Sequence, residues 1–158
     1  KLKLININEI ITDFVKPMVT SYENVIIDID NIIDQAFVMA DEKQIRQACS
    51  NLIKNSYENI ILNNVSNGKI SISFENKNDF ASITISDNGT GIDKSILSKI
   101  IEPYYTTKVG NSGLGLAITK KIIDDHNGLM LIKPQKNTKG TSIVFKFPLI
   151  SKLKKEKK

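Results

Sequence analysis

Hydrophobic residues recur in steps of three and four along some stretches of the chain and alternate with polar residues along others. The first pattern predicts amphipathic helices and the second predicts half-buried strands. A first helix begins near Asn6 or Asn8 and reaches residue 18, and a long one follows Asp41 as its N-cap and ends around residues 63–68. Two shorter helices cover residues 94–101 and 114–125. The predicted strands cover residues 25–29, 36–40, 70–74, 81–86, 129–133 and 142–147.

These elements do not alternate in the strict order of a doubly wound sheet. The strands over residues 70–74 and 81–86 are expected to form a hairpin joined through residues 76–79. We therefore predict an α+β fold: a two-layer α/β sandwich in which a mixed, mostly antiparallel sheet carries helices on one face.

Composition limits the possible functions. The chain has 158 residues, enough for one domain, and 41% of them are hydrophobic, as in ordinary globular proteins. The net charge is +5, but residues 152–158 contain five Lys and one Glu, so the rest of the chain is nearly neutral and binding to nucleic acid is not expected. We predict one domain over residues 1–150 and a basic, disordered tail over residues 151–158.

Compartment follows from two further features. Cys49 is the only cysteine in the sequence, so an internal disulfide is impossible and we expect a reduced, cytoplasmic environment. No apolar run approaches the roughly 18 residues that cross a bilayer, and no signal-peptide pattern opens the chain. We expect a soluble piece without direct membrane contact, and Lys1 in place of Met suggests that it belongs to a longer protein.

The long helix carries a polar stripe on a face different from its apolar one. Asn51, Asn55, Glu58 and Asn59 lie at positions i, i+4, i+7 and i+8. An amide carbonyl oxygen is a hard, neutral ligand that Mg²⁺ accepts beside phosphate oxygens and water. Taken alone, the stripe is more often a solvated surface.

An Asp-Asn-Gly-Thr-Gly segment, residues 87–91, directly follows a predicted strand. Asp87 at the end of that strand could accept the amino hydrogens of adenine, and Gly89 and Gly91 would let a planar ring approach the main chain. An isolated copy is slightly better explained as a β-turn.

A second glycine-rich segment contains Gly110, Gly113 and Gly115 and precedes a predicted helix. Backbone N–H groups at the start of a helix are suited to bind phosphate. A dinucleotide-binding fingerprint is excluded because it would directly follow a buried strand, whereas here residues 102–108 come first.

The order of these motifs resembles the catalytic and ATP-binding domain of sensor histidine kinases, which shares the Bergerat fold with gyrase, heat-shock chaperone and mismatch-repair ATPases. The match runs from about Asn6 to Pro148. Asn51-Leu-Ile-Lys-Asn55 resembles the family's N box, residues 103–108 its F box, residues 113–116 its second glycine box and Gly140-Thr141 its last glycine motif. Tyrosines 104 and 105 replace the commoner Phe, and the polar residues after Asn55 resemble the nitrogen-regulation branch.

The resemblance implies ATP and Mg²⁺ as cofactors. It implies that Asp87 binds adenine, that Asn55 holds the metal and is catalytic, and that Lys108 is catalytic by neutralising phosphate charge. The implied nucleotide-binding residues are Asn51, Asn55, Glu58, Asn59, Asp87, Gly89, Gly91, Ile92, Thr107, Lys108, Gly113, Leu114, Gly115, Leu116 and Thr141.

The residue at position 51 indicates whether ATP is hydrolysed or its phosphoryl group is transferred to a protein. In the family's ATPases a Glu four residues before the magnesium-binding Asn acts as general base for water, and an amide cannot take that proton. We therefore expect phosphoryl transfer to a protein histidine rather than hydrolysis. His126 is expected to pack at a helix end, so the acceptor should lie on a dimerisation domain upstream of Lys1.

Three other functions remain open: an ATPase of the gyrase or chaperone type, a serine kinase that controls a sigma factor, and a module that binds no nucleotide. The resemblance further implies a response regulator as partner and a parent protein anchored in the inner membrane.

Overall fold

A computed structural model describes residues 1–30, 35–107, 112–134 and 139–150, which form three α-helices, a five-stranded sheet and a two-stranded sheet. A 3-10 helix follows the first α-helix at Lys16–Thr20, and another lies at Lys94–Ile96. In chain order the α-helices and strands are β1 (Lys3–Asn6), α1 (Ile7–Val15), β2 (Val25–Asp30), β3 (Phe37–Ala40), α2 (Glu42–Leu62), β4 (Gly68–Lys77), β5 (Phe80–Asp87), α3 (Gly115–Asp125), β6 (Leu129–Pro134) and β7 (Thr141–Pro148).

The five-stranded sheet has the order β2-β4-β5-β7-β6. β2 runs parallel to β4 and the other pairs are antiparallel, so the predicted mixed, mostly antiparallel sheet is confirmed. The hairpin between β4 and β5 pairs Lys77 with Phe80 across a two-residue loop. Both loop residues, Asn78 and Asp79, have positive φ, as a hairpin turn that matches the twist of the strands requires.

Two helices cover one face of this sheet. α2 contacts β4 and β5, α3 contacts β6, and the helices contact each other. The hydrophobic side chains of β4 and β5 that face them, such as Ile72 and Ile83, are fully buried. The interior between these two layers is therefore the apolar core that the sequence periodicity indicated.

α2 begins where the sequence predicts it. The Asp41 carboxylate accepts hydrogen bonds from the backbone N–H groups of Lys43, at 3.1 Å, and Gln44, at 3.3 Å. α3 runs antiparallel to α2, because Asn51 contacts Gly115 at the start of α3 while the N–H of Asp41 contacts His126 just after its end. The first turn of α3 is thereby placed beside the middle of α2.

Two details of the predicted secondary structure are wrong. β1 was not anticipated; it pairs with β3, but Lys3 and Leu4 are exposed and the next two residues are half-buried, so the strand has no alternation of buried and exposed residues. The helix over residues 94–101 is a single 3-10 turn at Lys94–Ile96 followed by further turns. The Asp93 carboxylate caps this turn by accepting from the N–H of Ser95, which also lowers the pKa of Asp93.

Two expectations concern the chain as a whole. In the part that the structure describes, no helix is long and apolar enough to cross a membrane. The predicted tail, residues 151–158, lies outside the described residues.

Candidate nucleotide-binding site

The centre of the candidate site is the carboxylate of Asp87, at the end of β5. Asp87 is only 6% exposed. Its Oδ2 accepts a hydrogen bond of 2.8 Å from the hydroxyl of Ser56 on α2, and its Oδ1 accepts one of 2.9 Å from the N–H of Gly89. Hydrogen bonds to a charged acceptor are stronger than neutral ones, so these two donors orient the carboxylate.

Ser56 was not singled out in the sequence, although a signal exists. It lies on α2 between Leu52 and Ile60, which are both buried, four residues to either side. A polar residue within an apolar row is informative because a buried hydroxyl needs a hydrogen-bond partner. The partner, Asp87, is 31 residues away in sequence, and only the fold brings it close.

The glycines after Asp87 are required by contacts within the protein. A Cβ on Gly89 would lie 2.6 Å from Nδ2 of Asn59, and Gly91 has a φ of +82°. Gly140 has a φ of +139°, and a Cβ there would lie 2.1 Å from the carbonyl oxygen of Asp87. The Asp87 turn is therefore packed between α2 and the residue that precedes β7, so these glycines serve the packing of the site wall.

Thr141 is the partner of Asp87 in the register between β5 and β7. It is 5% exposed, and its Oγ1 is buried with no hydrogen-bond partner among the described residues. Leaving a buried hydroxyl unpaired is costly, so such an atom in a native protein calls for a water or a ligand. The structure thus places an unsatisfied polar atom beside an oriented carboxylate.

The polar stripe of α2 is more than a solvated surface. Oδ1 of Asn59 accepts from the hydroxyl of Thr90 at 3.0 Å. Nδ2 of Asn51 donates to the carbonyl oxygen of Gly115 and to the hydroxyl of Thr119, both at 3.3 Å. The stripe therefore connects α2 to the Asp87 turn at one end and to α3 at the other.

Asn55 lies between these two connections. A Cβ on Gly115 would lie 3.7 Å from its Nδ2, so the amide group faces the first turn of α3. Glu58, on the same stripe, forms an ion pair with Lys54, with 3.8 Å between Oε1 and Nζ. The Asn55 amide therefore lies beside the start of α3.

The second glycine-rich segment packs against the preceding loop. Gly113 has a φ of +68°, and a Cβ on it would lie 2.6 Å from the carbonyl carbon of Tyr104 and 2.7 Å from the carbonyl oxygen of Tyr105. α3 then begins at Gly115, so its N-terminal N–H groups and the positive end of its dipole lie beside Asn55. Leu114 and Leu116 are half-buried on either side of Gly115.

The remaining predicted site residues are placed less tightly. Ile92 is half-buried directly after the Asp87 turn, and Thr107 is exposed. Tyr104 is 77% exposed and has a φ of +67°, which is unusual for an aromatic residue. Lys108 and Gly110 lie outside the described residues.

His126 has a structural role. It is almost completely buried, its Nδ1 lies 2.6 Å from the carbonyl oxygen of Ile122, and its Nε2 accepts a hydrogen bond of 2.9 Å from the N–H of Asp41. Because Nε2 is an acceptor, Nδ1 carries the proton and donates to Ile122. Both ring nitrogens are engaged, so the prediction that His126 packs at a helix end is confirmed.

Two other kinds of site, a cluster of metal-binding side chains and a surface groove, can be compared with the candidate site. The described residues contain no group of three or more His, Cys, Asp or Glu placed to hold a metal ion. A groove of about 280 Å³ lies elsewhere, against β6, and contains none of the predicted nucleotide-binding residues. Its lining consists of Leu97, Ser98, Ile101, Lys120, Met130, Leu131 and Ile132.

Comparisons with known sequences find sensor kinases. The chain is 35% identical over 127 residues to an NtrY-like sensor histidine kinase from Rickettsia felis. It is 33% identical over 129 residues to sporulation kinase A from Bacillus subtilis. The alignments cover 80% and 82% of this chain but 21% and 19% of those proteins, so the chain spans about a fifth of their length.

Solved structures give the same result. A nucleotide-free catalytic domain of the histidine kinase ThkA matches with a TM-score of 0.75 at 29% identity, over 94% of this chain and 98% of that one. ThkA in complex with the response regulator protein TrrA matches with a TM-score of 0.74 at 26% identity, over 94% of this chain and 42% of that one. The predicted fold and the resemblance to histidine kinases are confirmed.

The family assignment rests on the stretch that carries the site. The family model described as histidine kinase-, DNA gyrase B- and HSP90-like ATPase matches residues 40–151. This range contains α2, the Asp87 turn, the glycine-rich segment before α3 and Thr141. The chain belongs to the histidine kinase-, DNA gyrase B- and HSP90-like ATPase family.

Proposed function

We propose that this chain binds ATP with Mg²⁺ between α2, the Asp87 turn and the start of α3, and that it donates the γ-phosphate to a histidine on a dimerisation domain outside the given sequence. One observation carries the proposal: the buried, oriented carboxylate of Asp87 lies on the strand next to the buried hydroxyl of Thr141, which has no partner among the described residues. A purine with an amino group offers a donor to the carboxylate and a ring nitrogen to the unpaired hydroxyl of Thr141.

Asp87 is the adenine-recognising residue in this proposal. The exocyclic amino group of adenine donates a hydrogen bond to the carboxylate, and the hydroxyl of Thr141 bonds a ring nitrogen, directly or through water. Ser56 and the N–H of Gly89 hold the carboxylate in place before the base arrives. ATP binding therefore loses little free energy to the ordering of this side chain.

The phosphates belong at the other end of the site. The N–H groups of Gly113–Leu116 and the N-terminal end of α3 favour negative charge. Asn55, beside Gly115, would hold Mg²⁺ through its side-chain carbonyl oxygen, a ligand that this ion accepts beside phosphate oxygens and water. The bound ion would neutralise charge on the transferred phosphoryl group, and we assign the same effect to Lys108 from its place in the sequence.

One observation favours transfer to a histidine over hydrolysis, and a second indicates where that histidine lies. The position that holds a general-base Glu in the family's ATPases is Asn51, and its Nδ2 is engaged with α3. His126 has both ring nitrogens engaged, so the acceptor belongs to another domain. In the transfer, a nitrogen of that histidine bonds to the γ-phosphorus, the bond from phosphorus to the β–γ bridging oxygen breaks, and ADP leaves.

The wider setting is part of the same proposal. The structure of ThkA with TrrA supports a response regulator as the protein that accepts the phosphoryl group from the histidine. The resemblance to NtrY-like kinases supports a longer parent protein, which we place at the inner membrane with this domain on its cytoplasmic side.

The adenine assignment is tested by titrating ATP into the Asp87→Asn variant by calorimetry. Loss of the carboxylate acceptor should weaken ATP binding by about tenfold or more, since a hydrogen bond to a charged group contributes about 1.5–3 kcal/mol. Asp30→Asn is the matched control, because Asp30 also ends a strand but is exposed and lies on β2. Equal ATP affinity of Asp87→Asn and the control would remove the adenine site and, with it, the proposed function.

A further inference from the structure

Asn51 contacts two atoms of α3. Its side-chain Nδ2 donates to the carbonyl oxygen of Gly115, the first residue of the helix, and to the hydroxyl of Thr119 one turn later. Thr119 is completely buried, so its hydroxyl needs a partner inside the protein, and Asn51 provides it. Hydrogen bonds from one amide to two successive turns fix both the distance and the rotation of α3 relative to α2.

A second connection lies at the other end of the helix pair. There the N–H of Asp41, the N-cap of α2, donates to His126, which follows α3 directly. Side-chain hydrogen bonds therefore connect α3 to α2 at both ends of α3. Between these connections, the first turn of α3 is held beside Asn55.

We propose that Asn51 is a positioning residue that acts through α3: it holds the phosphate-binding first turn of that helix at a fixed distance from Asn55 and is not itself a ligand of the nucleotide. This inference rests on the proposed ATP site. It corrects our own assignment of Asn51 as a nucleotide contact. It also gives a physical reason for an amide at the position where a carboxylate would act as base, because a carboxylate cannot donate to the carbonyl oxygen of Gly115.

The inference separates the two halves of the nucleotide. Loosening the first turn of α3 should affect phosphate binding, whereas the Asp87 end of the site, held by Ser56 and Gly89, does not depend on Asn51. The Asn51→Ala variant should therefore bind ATP about tenfold more weakly and adenosine less than twofold more weakly. A general loss of structure would instead weaken the binding of both ATP and adenosine.

Variants of Thr119 distinguish a positioning role of Asn51 from direct contact with the nucleotide, because Thr119 is buried and bonded to Asn51. Thr119→Val keeps the shape of the side chain and removes one of the two acceptors, so ATP binding should weaken about threefold. Thr119→Ser, which keeps the hydroxyl, should restore the wild-type affinity. In the double variant Asn51→Ala with Thr119→Val, ATP should bind no more weakly than in Asn51→Ala alone, since the two residues act as one unit.

The control is Gln47→Ala, which removes an exposed amide one turn earlier on α2 and should bind both ligands as the wild type does. Wild-type ATP affinity in Thr119→Val together with weak binding in Asn51→Ala would overturn the proposal and make Asn51 a direct ligand. Equal weakening of ATP and adenosine would also overturn it.

Hydrogen exchange of the α3 backbone amides that are bonded within the helix, from Ile118 to Ile122, tests the connection without any nucleotide. These amides should exchange faster in Asn51→Ala and Thr119→Val than in Gln47→Ala. Unchanged exchange would refute the connection itself. If exchange rises but the wild-type chain does not bind ATP, the proposed function fails while the structural link between Asn51 and α3 stands.

Discussion

The hydrogen bond between Ser56 and Asp87 is a contact whose removal should alter both stability and nucleotide binding. The hydroxyl of Ser56 donates to Oδ2 of Asp87 at 2.8 Å, and both residues are buried. The Ser56→Ala variant deletes the donor and leaves Oδ2 of the buried carboxylate with one hydrogen bond fewer. The change occurs within α2, where alanine itself is well tolerated.

The expected magnitude combines two opposing terms. Losing a hydrogen bond to a charged acceptor costs about 1.5–3 kcal/mol. Alanine is favoured over serine within a helix by about 0.5 kcal/mol, which offsets part of that loss. The free energy of unfolding should therefore fall by about 1–2.5 kcal/mol, which in a chain of this size lowers the melting temperature by roughly 2–10 °C.

Urea unfolding followed by circular dichroism measures the effect as a lower midpoint with an unchanged slope. Ser50→Ala, on the exposed side of the same helix, is the matched control and should change the unfolding free energy by less than about 0.5 kcal/mol. Calorimetric titration should also show weaker ATP binding by Ser56→Ala, because the carboxylate of Asp87 loses a donor that orients it. Equal stability of the two variants would refute the reasoning.

Two other predictions concern the metal and the buried thiol. Replacing Asn55 with Ala should bring the ratio of ATP affinities with and without Mg²⁺ close to unity in calorimetry, and a persistent dependence on Mg²⁺ would contradict the metal role. Burial raises the pKa of the Cys49 thiol from its ordinary value of 9.0 to about 12. At pH 8 a thiol reagent should therefore label Cys49 only after unfolding, and rapid labelling of the folded protein would show that the burial is wrong. Because the folded protein disfavours the thiolate, the free energy of unfolding should also decline as pH rises from about 9 towards 12.

The sequence was sufficient for those parts of the fold that depend on neighbouring residues. Asp41 caps α2 as predicted because an N-cap bonds N–H groups only two and three residues away. The strands β4 and β5 follow from alternation, and their hairpin follows from Asn78 and Asp79. β1 lacked such a signal, because its four residues, two exposed and two half-buried, carry no periodicity that distinguishes a strand from the start of the next helix.

The site was predictable as a set of motifs but not as a set of contacts. The order of the N box, the Asp87 turn and the glycine-rich segments indicated one ligand site, but no local pattern shows that Gly140 must lie against the backbone of Asp87. Nor does any pattern show that Thr119 accepts from Asn51, 68 residues earlier. These contacts arise because distant elements meet in three dimensions, and only a polar residue within an apolar row, as at Ser56, hints at them.

The contacts also divide the motif residues into two kinds. Asn51 and Asn59 have hydrogen bonds to neighbouring elements. At Gly89 there is no room for a side chain, because Asn59 lies against it. These residues therefore build the wall of the site. Thr141 is different, because its buried hydroxyl is satisfied by nothing in the part of the chain that the structure describes. A polar atom that folding leaves unpaired costs stability, and a bound ligand or water that pairs with it recovers that cost. Within this site, then, the unpaired hydroxyl is stronger evidence for a ligand than the motifs around it, since those motifs would be needed for packing even without one.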